Sequence, residues 1–201
     1  MGAVEDAVTG IRAGRPVILP TDTVYGLAAT PYRSGPAERL ARLKGRELGQ
    51  PLALVAADLD MLFECVPELR GRAGTIARAL LPGPYTLILT NPARRFRWLN
   101  GARPDTIGVR VPDWPAESAR VLAAVGAVAA TSANLHGGPD PRRLEDVPEG
   151  LRTRCAAAVD AGELPGTAST VLDFSAAEPR VVREGAAPAA EAIERALAAL
   201  S

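Results

Sequence analysis

The sequence is poor in histidine, cysteine and aromatic residues, and each shortage narrows what the protein can be. A single histidine, His136, excludes a His-rich zinc site and any catalytic triad that needs a histidine besides it. The two cysteines, Cys65 and Cys155, stand far apart and outside any CxxC motif, so a disulfide framework is not expected. Aromatic residues make up 4% of the chain and hydrophobic residues 47%, which predicts a core of closely packed Ala, Val and Leu.

Neither sign of charge is in excess, since 23 basic side chains balance 23 acidic ones. The chain therefore has no overall positive field that would attract a nucleic-acid backbone or an anionic membrane. No stretch approaches the roughly 18 apolar residues of a membrane span, and the first ten residues lack the basic and then apolar order of a secretion signal. We therefore expect a cytoplasmic protein that folds as a single domain over residues 1–201.

Hydrophobic periodicity predicts an α/β fold. Helices are predicted at residues 4–13, 35–43, 75–81, 116–125 and 189–200. Strands are predicted at residues 16–19, 51–56, 86–90, 106–111, 127–131, 156–160, 169–174 and 180–183. Because several strands follow one another too closely for a crossover helix, we expect a mixed parallel and antiparallel twisted sheet with flanking helices.

Polar side chains recur where the predicted strands end. They are Thr21, Thr23, Tyr25, Thr106, Arg110, Thr131, Ser132, Asn134, Ser169, Thr170 and Arg183. Each hydroxyl on its own could equally cap a turn or a helix. Ligands of open α/β sheets, however, bind in the crevice beyond the strand ends, so the recurrence predicts a ligand site there.

The basic pair Lys44 and Arg46, separated by Gly45, follows a predicted helix. Two cations at this place stabilise the negative end of the helix, and the glycine also lets both side chains turn to one side and bind a phosphate or carboxylate. No P-loop and no GxGxxG motif occurs, so neither device holds a nucleotide here. The carboxylates of Asp22, Asp113 and Asp173 could each cap a turn. His136 is predicted to lie in a solvent-facing loop.

Seven sequence blocks together carry a resemblance to a known family. They are PTDTVYGL (residues 20–27), KGR with the following PL (44–52), LPGPYTLIL (81–89), TIGVRVPD (106–113), TSAN (131–134), STVLD (169–173) and VVREG (181–185). In this order, over nearly the whole chain, they resemble the YrdC family of threonylcarbamoyl-adenylate synthases. The chain is similar to the short members, which have no additional C-terminal domain.

The resemblance implies an enzyme, a nucleotidyltransferase of tRNA processing. Its expected reaction combines L-threonine, bicarbonate and ATP into threonylcarbamoyl-AMP, diphosphate and water, the first step toward threonylcarbamoyladenosine in tRNA. Mg²⁺ is expected to enter with ATP, since no carboxylate cluster in the sequence marks a protein metal site. A downstream transferase complex is the expected acceptor of the product, and direct tRNA binding is a further partner to consider.

The same resemblance assigns roles to particular residues. The catalytic set is Lys44, Arg46, Ser132 and Asn134. The threonine-binding set is Thr21, Arg110, Ser132 and Ser169, with Arg110 as the partner of the threonine carboxylate. The nucleotide-binding set is Lys44, Thr106, Asn134, Arg142 and Arg183. Tyr25 and Gly26 are expected to shape the floor around Thr21.

Two alternatives remain open at this point. One is a YciO-like paralogue that keeps the fold and acts on a related adenylate or carbamoyl substrate. The other is a double-stranded RNA-binding module, for which Arg94, Arg95 and Arg97 around Phe96 and Trp98 supply a basic and aromatic run. That run is also typical of a solvated loop.

Overall fold

A computed structural model describes residues 2–45 and 50–201. The strands are β1 (Val17–Pro20), β2 (Tyr25–Ala29), β3 (Ala53–Ala56), β4 (Tyr85–Thr90), β5 (Thr106–Arg110), β6 (Ala127–Ser132), β7 (Thr170–Asp173) and β8 (Arg180–Arg183). The α-helices are α1 (Ala3–Arg12), α2 (Ser34–Leu43), α3 (Leu59–Cys65), α4 (Gly71–Leu80), α5 (Ala116–Val125), α6 (Glu149–Arg152) and α7 (Ala189–Ala198). Short 3-10 helices lie at Arg97–Leu99 and Leu144–Asp146.

The described strands form one mixed sheet in the order β1-β2-β6-β3-β5-β4-β7-β8. The pairs β3–β5 and β4–β7 are parallel, and the other neighbouring pairs are antiparallel. The predicted α/β fold with a mixed sheet and flanking helices is therefore confirmed. β1 and β2 form a hairpin around the turn at residues 21–24, and β8 forms the far edge with all four residues exposed.

Side chains alternate between the two faces of the sheet, and helices cover the faces unequally. On one face Ile18, Leu54 and Val109 belong to the larger core, to which α2, α3, α4 and α7 contribute buried side chains. On the other face α1 and α5 pack over Leu19 and Val55 near the β1 side of the sheet. The part of this second face that β4, β5 and β7 form is not covered in the same way, and it contributes to a cavity.

Two predicted elements differ from the structure. The segment at residues 156–160 is not a strand, since it makes a single parallel bridge, between Ala158 and Ile18 of β1. Just beyond that bridge, Asp160 accepts a hydrogen bond from the Tyr25 hydroxyl, which ties the segment to the larger core. The helix predicted at 75–81 begins four residues earlier, at Gly71, and Gly74 and Ile76 are buried within it despite the low helix propensity of glycine.

Three of the described strands and α-helices escaped the sequence analysis, namely β2, α3 and the four-residue α6. β2 reads YGLAA, and all five residues are buried, so it lacks the alternation of polar and apolar residues that marks a half-exposed strand. α3 is only seven residues long, and its signal is the N-cap Asp58, whose carboxylate accepts the Met61 backbone N–H at 2.8 Å. None of the described helices is long and apolar enough to cross a bilayer.

Candidate active site

A cavity of about 360 Å³ lies on the less covered face of the sheet. Its polar lining comes from Thr21, Thr86, Asn100, Arg103, Thr106, Arg110, Thr131, Ser132, Ser169 and Arg183. Apolar walls come from residues such as Leu19, Val24, Leu52, Val55, Ile88, Trp114, Val128 and Val182. Seven of the eleven strand-end residues that the sequence analysis singled out thus meet around one cavity, whereas Thr23, Tyr25, Asn134 and Thr170 are not among its described lining residues.

Lys44 is bound by the TSAN block and contacts two residues of the cavity lining, Thr131 and Ser132. Its side chain is only 1% exposed. The ammonium Nζ donates to Asn134 Oδ1 at 2.7 Å, to the Ser132 carbonyl at 2.8 Å and to Ser132 Oγ at 3.1 Å, with Thr131 Oγ1 at 3.3 Å. A buried ammonium needs several hydrogen-bond acceptors, and the TSAN block supplies them here. Three members of the predicted catalytic set are therefore in direct contact.

The backbone around Lys44 explains how the ammonium reaches the TSAN block. α2 ends at Leu43, and Gly45 has a φ of 65°, which turns the chain sharply. Ser132 Oγ also donates to Asn134 Oδ1 at 2.7 Å, and Asn134 Nδ2 donates to the Gly138 carbonyl at 2.7 Å, so the amide is held from both sides. Arg46, which was predicted to be catalytic, lies outside the described residues.

Lys44 is also the only lysine in the chain, among 23 basic residues. Everywhere else the sequence uses arginine, even at exposed positions. A compact ammonium with three rotatable donors fits the cluster of acceptors around Lys44, whereas a planar guanidinium does not. The use of a single lysine thus points to the same residue as the KGR motif, although the sequence analysis did not use this signal.

Arg110, the last residue of β5, is 8% exposed and contacts the turn between β1 and β2. Its Nη2 donates to Asp22 Oδ1 and, at 2.7 Å, to Thr23 Oγ1. Asp22 Oδ2 accepts the backbone N–H of Asp113 at 3.2 Å. Burial lowers the pKa of Arg110, Asp22 opposes this, and the positive charge of Arg183 adds to the lowering. Asp22, interpreted from sequence as a possible turn cap, is thus the ion-pair partner of Arg110.

Thr21 lines the cavity, but its hydroxyl is engaged within the turn. Oγ1 donates to the Val24 carbonyl at 2.8 Å and lies 3.2 Å from the backbone nitrogens of Thr23 and Val24. A hydroxyl has one hydrogen to donate. Thr21 was predicted to bind substrate, but in this arrangement its hydroxyl has no hydrogen left to donate to a substrate.

Ser169 and Arg183 form a second polar wall. Arg183 donates from Nη2 at 2.8 Å and from Nε at 3.1 Å to the Ser169 carbonyl, and Ser169 Oγ lies 2.9 Å from Thr86 Oγ1. Arg183 is close enough to Arg110 to lower its pKa. Two guanidinium groups at one cavity attract an anionic ligand.

Thr106 lies at the beginning of β5, and its hydroxyl donates to the Arg103 carbonyl at 3.0 Å. Arg103, which the sequence analysis did not single out, lines the cavity and donates to Asp173 at 3.0 Å. Burial alone would raise the pKa of Asp173, but hydrogen bonds from Ser175 and Arg103 outweigh it and lower that pKa to about 2. Asp173 thus caps the turn at Ser175, as the sequence allowed, and also anchors Arg103.

The structure does not bring Arg142 or Tyr25 into the cavity. Arg142 is exposed and pairs with Glu163 at 2.8 Å, and it is not among the described lining residues. The Tyr25 ring lies in the larger core, where burial raises the pKa of its hydroxyl to about 12. The prediction that Tyr25 shapes the cavity floor is wrong because neighbours on a strand face opposite sides, and it is Gly26 that lines the cavity.

The basic and aromatic run lies on the loop between β4 and β5. Arg95 pairs with Glu68 at 2.6 Å, which neutralises part of its charge. The Trp98 indole nitrogen donates to the Pro31 carbonyl at 2.9 Å, and its ring meets the Phe96 ring edge-on at 6.3 Å. These contacts hold the loop against the body of the protein and favour the interpretation as a surface loop.

We expect the substitution His136→Ala to leave turnover and its pH profile unchanged between pH 6 and 8. His136 is exposed, and the hydrogen bond that ties it to the site is from its backbone N–H to the Lys44 carbonyl, at 3.2 Å. Alanine preserves that bond. Steady-state assays across this pH range check the expectation, and a loss above about tenfold, or roughly 1.4 kcal/mol in the barrier, would mean that the imidazole acts as a general base.

The fold and the cavity define an α/β protein with a polar, arginine-lined cavity on one face of a mixed sheet. The Sua5/YciO/YrdC family model, described as "Telomere recombination", matches residues 9–185, and the chain belongs to this family.

Two threonylcarbamoyl-AMP synthases are similar in sequence to most of this chain. A threonylcarbamoyl-AMP synthase of Halorhodospira halophila is 36% identical over 81% of this chain and 84% of its own length. The threonylcarbamoyl-AMP synthase of Pyrococcus abyssi is 32% identical over 90% of this chain, but the match spans only 53% of that longer protein.

Solved structures of Sua5 and YciO have a fold similar to that of this chain. The crystal structure of P. abyssi Sua5 complexed with L-threonine has a TM-score of 0.82 and 30% identity, and the match covers 96% of this chain and 56% of that one. The crystal structure of Escherichia coli YciO has a TM-score of 0.80 and 28% identity, with 92% and 90% covered.

Proposed function

We propose that this chain is an L-threonylcarbamoyladenylate synthase and acts as one domain over residues 1–201. The observation that carries the proposal is a single cavity that joins Ser132, a ligand of the buried Lys44 ammonium, to Arg110 and Arg183. The substrates need such a distribution of charge, because ATP brings a polyphosphate and threonine brings a carboxylate. The names of the relatives and the threonine complex of the P. abyssi protein support this choice.

The threonine carboxylate binds Arg110 in this proposal. Both hydrogens of Nη2 are directed to Asp22 and Thr23, so the incoming carboxylate uses the remaining N–H groups. Nε is buried and has no hydrogen-bond partner within the described residues, which is costly until a ligand supplies one. Ser132 and Ser169 line the same cavity and complete the amino-acid pocket, beside Thr21.

ATP lies with its phosphates toward Lys44, and with Thr106, Asn134 and Arg183 along its length. The threonine amine attacks the carbon of bicarbonate, water leaves, and the carbamate oxygen then attacks the α-phosphate as diphosphate departs. Positive charge fixed near the α-phosphate stabilises the charge that grows during this second step. Arg46 and Arg142 also belong to the proposed phosphate and nucleotide set, Arg142 only after a movement that releases it from Glu163.

Mg²⁺ enters with ATP in this proposal. Within residues 2–45 and 50–201 no cluster of three His, Cys, Asp or Glu side chains is arranged to hold a metal ion, so the phosphates are its main ligands. The product passes to a cytoplasmic transferase complex that modifies tRNA. Direct tRNA binding has little support, since Arg95 of the basic run is already paired.

The test is diphosphate release from ATP by the purified chain. Release should require both threonine and bicarbonate, and the product should contain threonine, one carbonyl carbon and AMP. If neither omission changes the rate, the synthase proposal is wrong. The resemblance to YciO over 90% of that chain makes a paralogue with a different acceptor the second candidate, and activity with another amino acid instead of threonine would favour it.

We expect Arg110→Ala to raise the KM for threonine by about ten- to a hundredfold, because a charge-assisted hydrogen bond is worth roughly 1.5–3 kcal/mol. The KM for ATP should change much less. The matched control is Arg120→Ala, which removes an exposed arginine that pairs with Glu5 at the surface. An unchanged threonine dependence of Arg110→Ala would remove this residue from the pocket.

A further inference from the structure

Thr23 is fully buried and contacts two residues of the proposed threonine pocket without belonging to the described cavity lining. Its Oγ1 accepts from Arg110 Nη2 at 2.7 Å and lies 3.0 Å from Thr21 Oγ1. The sequence marks Thr23 as one of the polar strand-end residues, but neither the resemblance nor the proposed mechanism gives it a role.

The hydrogen bonds through Thr23 have one consistent direction. Thr21 donates its only hydroxyl hydrogen to the Val24 carbonyl, so Thr23 must be the donor in the contact between the two hydroxyls. Thr23 Oγ1 is then free to accept from Arg110, which can only donate. The chain therefore runs from Arg110 through Thr23 and Thr21 to Val24, and hydrogen bonds aligned in this way polarise and strengthen one another.

Asp22 completes the arrangement on the other hydrogen of Nη2. Asp22 is itself held by the Asp113 backbone N–H, so it provides a fixed second support. With one nitrogen bound in two directions, the plane of the guanidinium cannot rotate freely. Asp22 and Thr23, both in the turn between β1 and β2, therefore determine the directions of the remaining N–H groups.

We propose that Thr23 is a positioning residue for threonine binding. It fixes the orientation of the Arg110 guanidinium, so that one of the nitrogens not bound by Asp22 and Thr23 faces the substrate carboxylate. The inference rests on the proposed function, in which Arg110 binds that carboxylate. Thr23 acts through Arg110 and does not touch the substrate itself.

The test is Thr23→Val, which keeps the β-branched shape and removes the hydroxyl. We expect the KM for threonine to rise about five- to twentyfold, while kcat and the KM for ATP stay within about twofold. Thr23→Ser keeps the hydroxyl and should restore the KM for threonine to within about threefold. The matched control is Thr30→Val, another buried threonine of the same hairpin, placed beyond the far end of β2. It should leave both KM values unchanged.

A second measurement separates positioning from general damage to the fold. In an Arg110→Ala background, Thr23→Val should raise the KM for threonine no further, since the group that it positions is gone. Equal increases in both KM values, or an additional increase in that background, would overturn the role of Thr23. If the wild type releases no diphosphate in response to threonine, the proposed function fails and this inference with it. If Arg110→Ala weakens threonine binding but Thr23→Val does not, only the inference fails.

Discussion

Substitution of Lys44 by methionine is expected to lower kcat about a hundredfold or more. Methionine has a similar length and no charge, so it removes the ammonium that contacts Ser132 and Asn134. Preorganised electrostatic groups of this kind typically contribute about 3–4 kcal/mol to transition-state stabilisation. The KM for threonine should change by less than about threefold, because in the proposed mechanism the ammonium acts on the reacting phosphate.

Two further variants sharpen the test of Lys44. Lys44→Arg should not restore activity, since a residue 1% exposed leaves no room for the wider guanidinium. Arg42→Met serves as the control on the same helix end, where the side chain is exposed and paired with Glu38. Arg46→Ala is expected to lower kcat similarly, and the double variant should fall far short of the product of the two losses. A normal kcat with a changed KM for threonine in Lys44→Met would instead place Lys44 in amino-acid recognition.

The substitution Gly185→Ala is expected to destabilise the protein by about 3 kcal/mol, the upper part of the usual range for overpacking. A Cβ at residue 185 would lie 2.3 Å from the Ala168 carbonyl oxygen and 2.6 Å from that of Ser169. The backbone there cannot easily retreat, because Ala168 accepts the Ala186 N–H at 2.8 Å. Movement of Ser169 should also raise the KM for threonine.

Thermal and urea unfolding measure the effect of Gly185→Ala, with Gly35→Ala as the control. A Cβ at residue 35, in α2, meets nothing within 4 Å, so this change should stabilise the protein by about 0.5–1 kcal/mol. If Gly185→Ala melts like the wild type, the close approach between the β8 end and Ser169 is not a structural constraint.

The sequence predicted the kind of fold, and it singled out several residues of the cavity lining, for identifiable physical reasons. Continuous apolar runs such as residues 17–19 indicate buried strands, and polar residues at their ends stand out because a packed core would exclude them. Ser132, Ser169 and Arg183 were found in this way, and the structure places all three around one cavity. The KGR and TSAN blocks were each visible, but the contact between Lys44 and Asn134, 90 residues apart, depends on the packing of α2 beside β6.

Other features depend on the three-dimensional arrangement and left no local signal. The pair of Asp22 and Arg110 joins the β1–β2 turn to β5, and strand order decides which residues meet there. The orientation of Tyr25 follows from β2, which the sequence analysis missed because small buried residues show no alternation. Arg103 lies in a loop where its anchor, Asp173, is seventy residues away.

The single lysine gives this protein an unusual experimental property. Labelling of the lysine side chain with nitrogen-15 introduces one labelled nucleus into the molecule, at Lys44 Nζ. Its resonance needs no assignment, since no second lysine exists in the sequence. Ammonium protons shielded by Ser132 and Asn134 should exchange slowly with water, so one spectrum can follow nucleotide arrival at the proposed phosphate site in the intact protein.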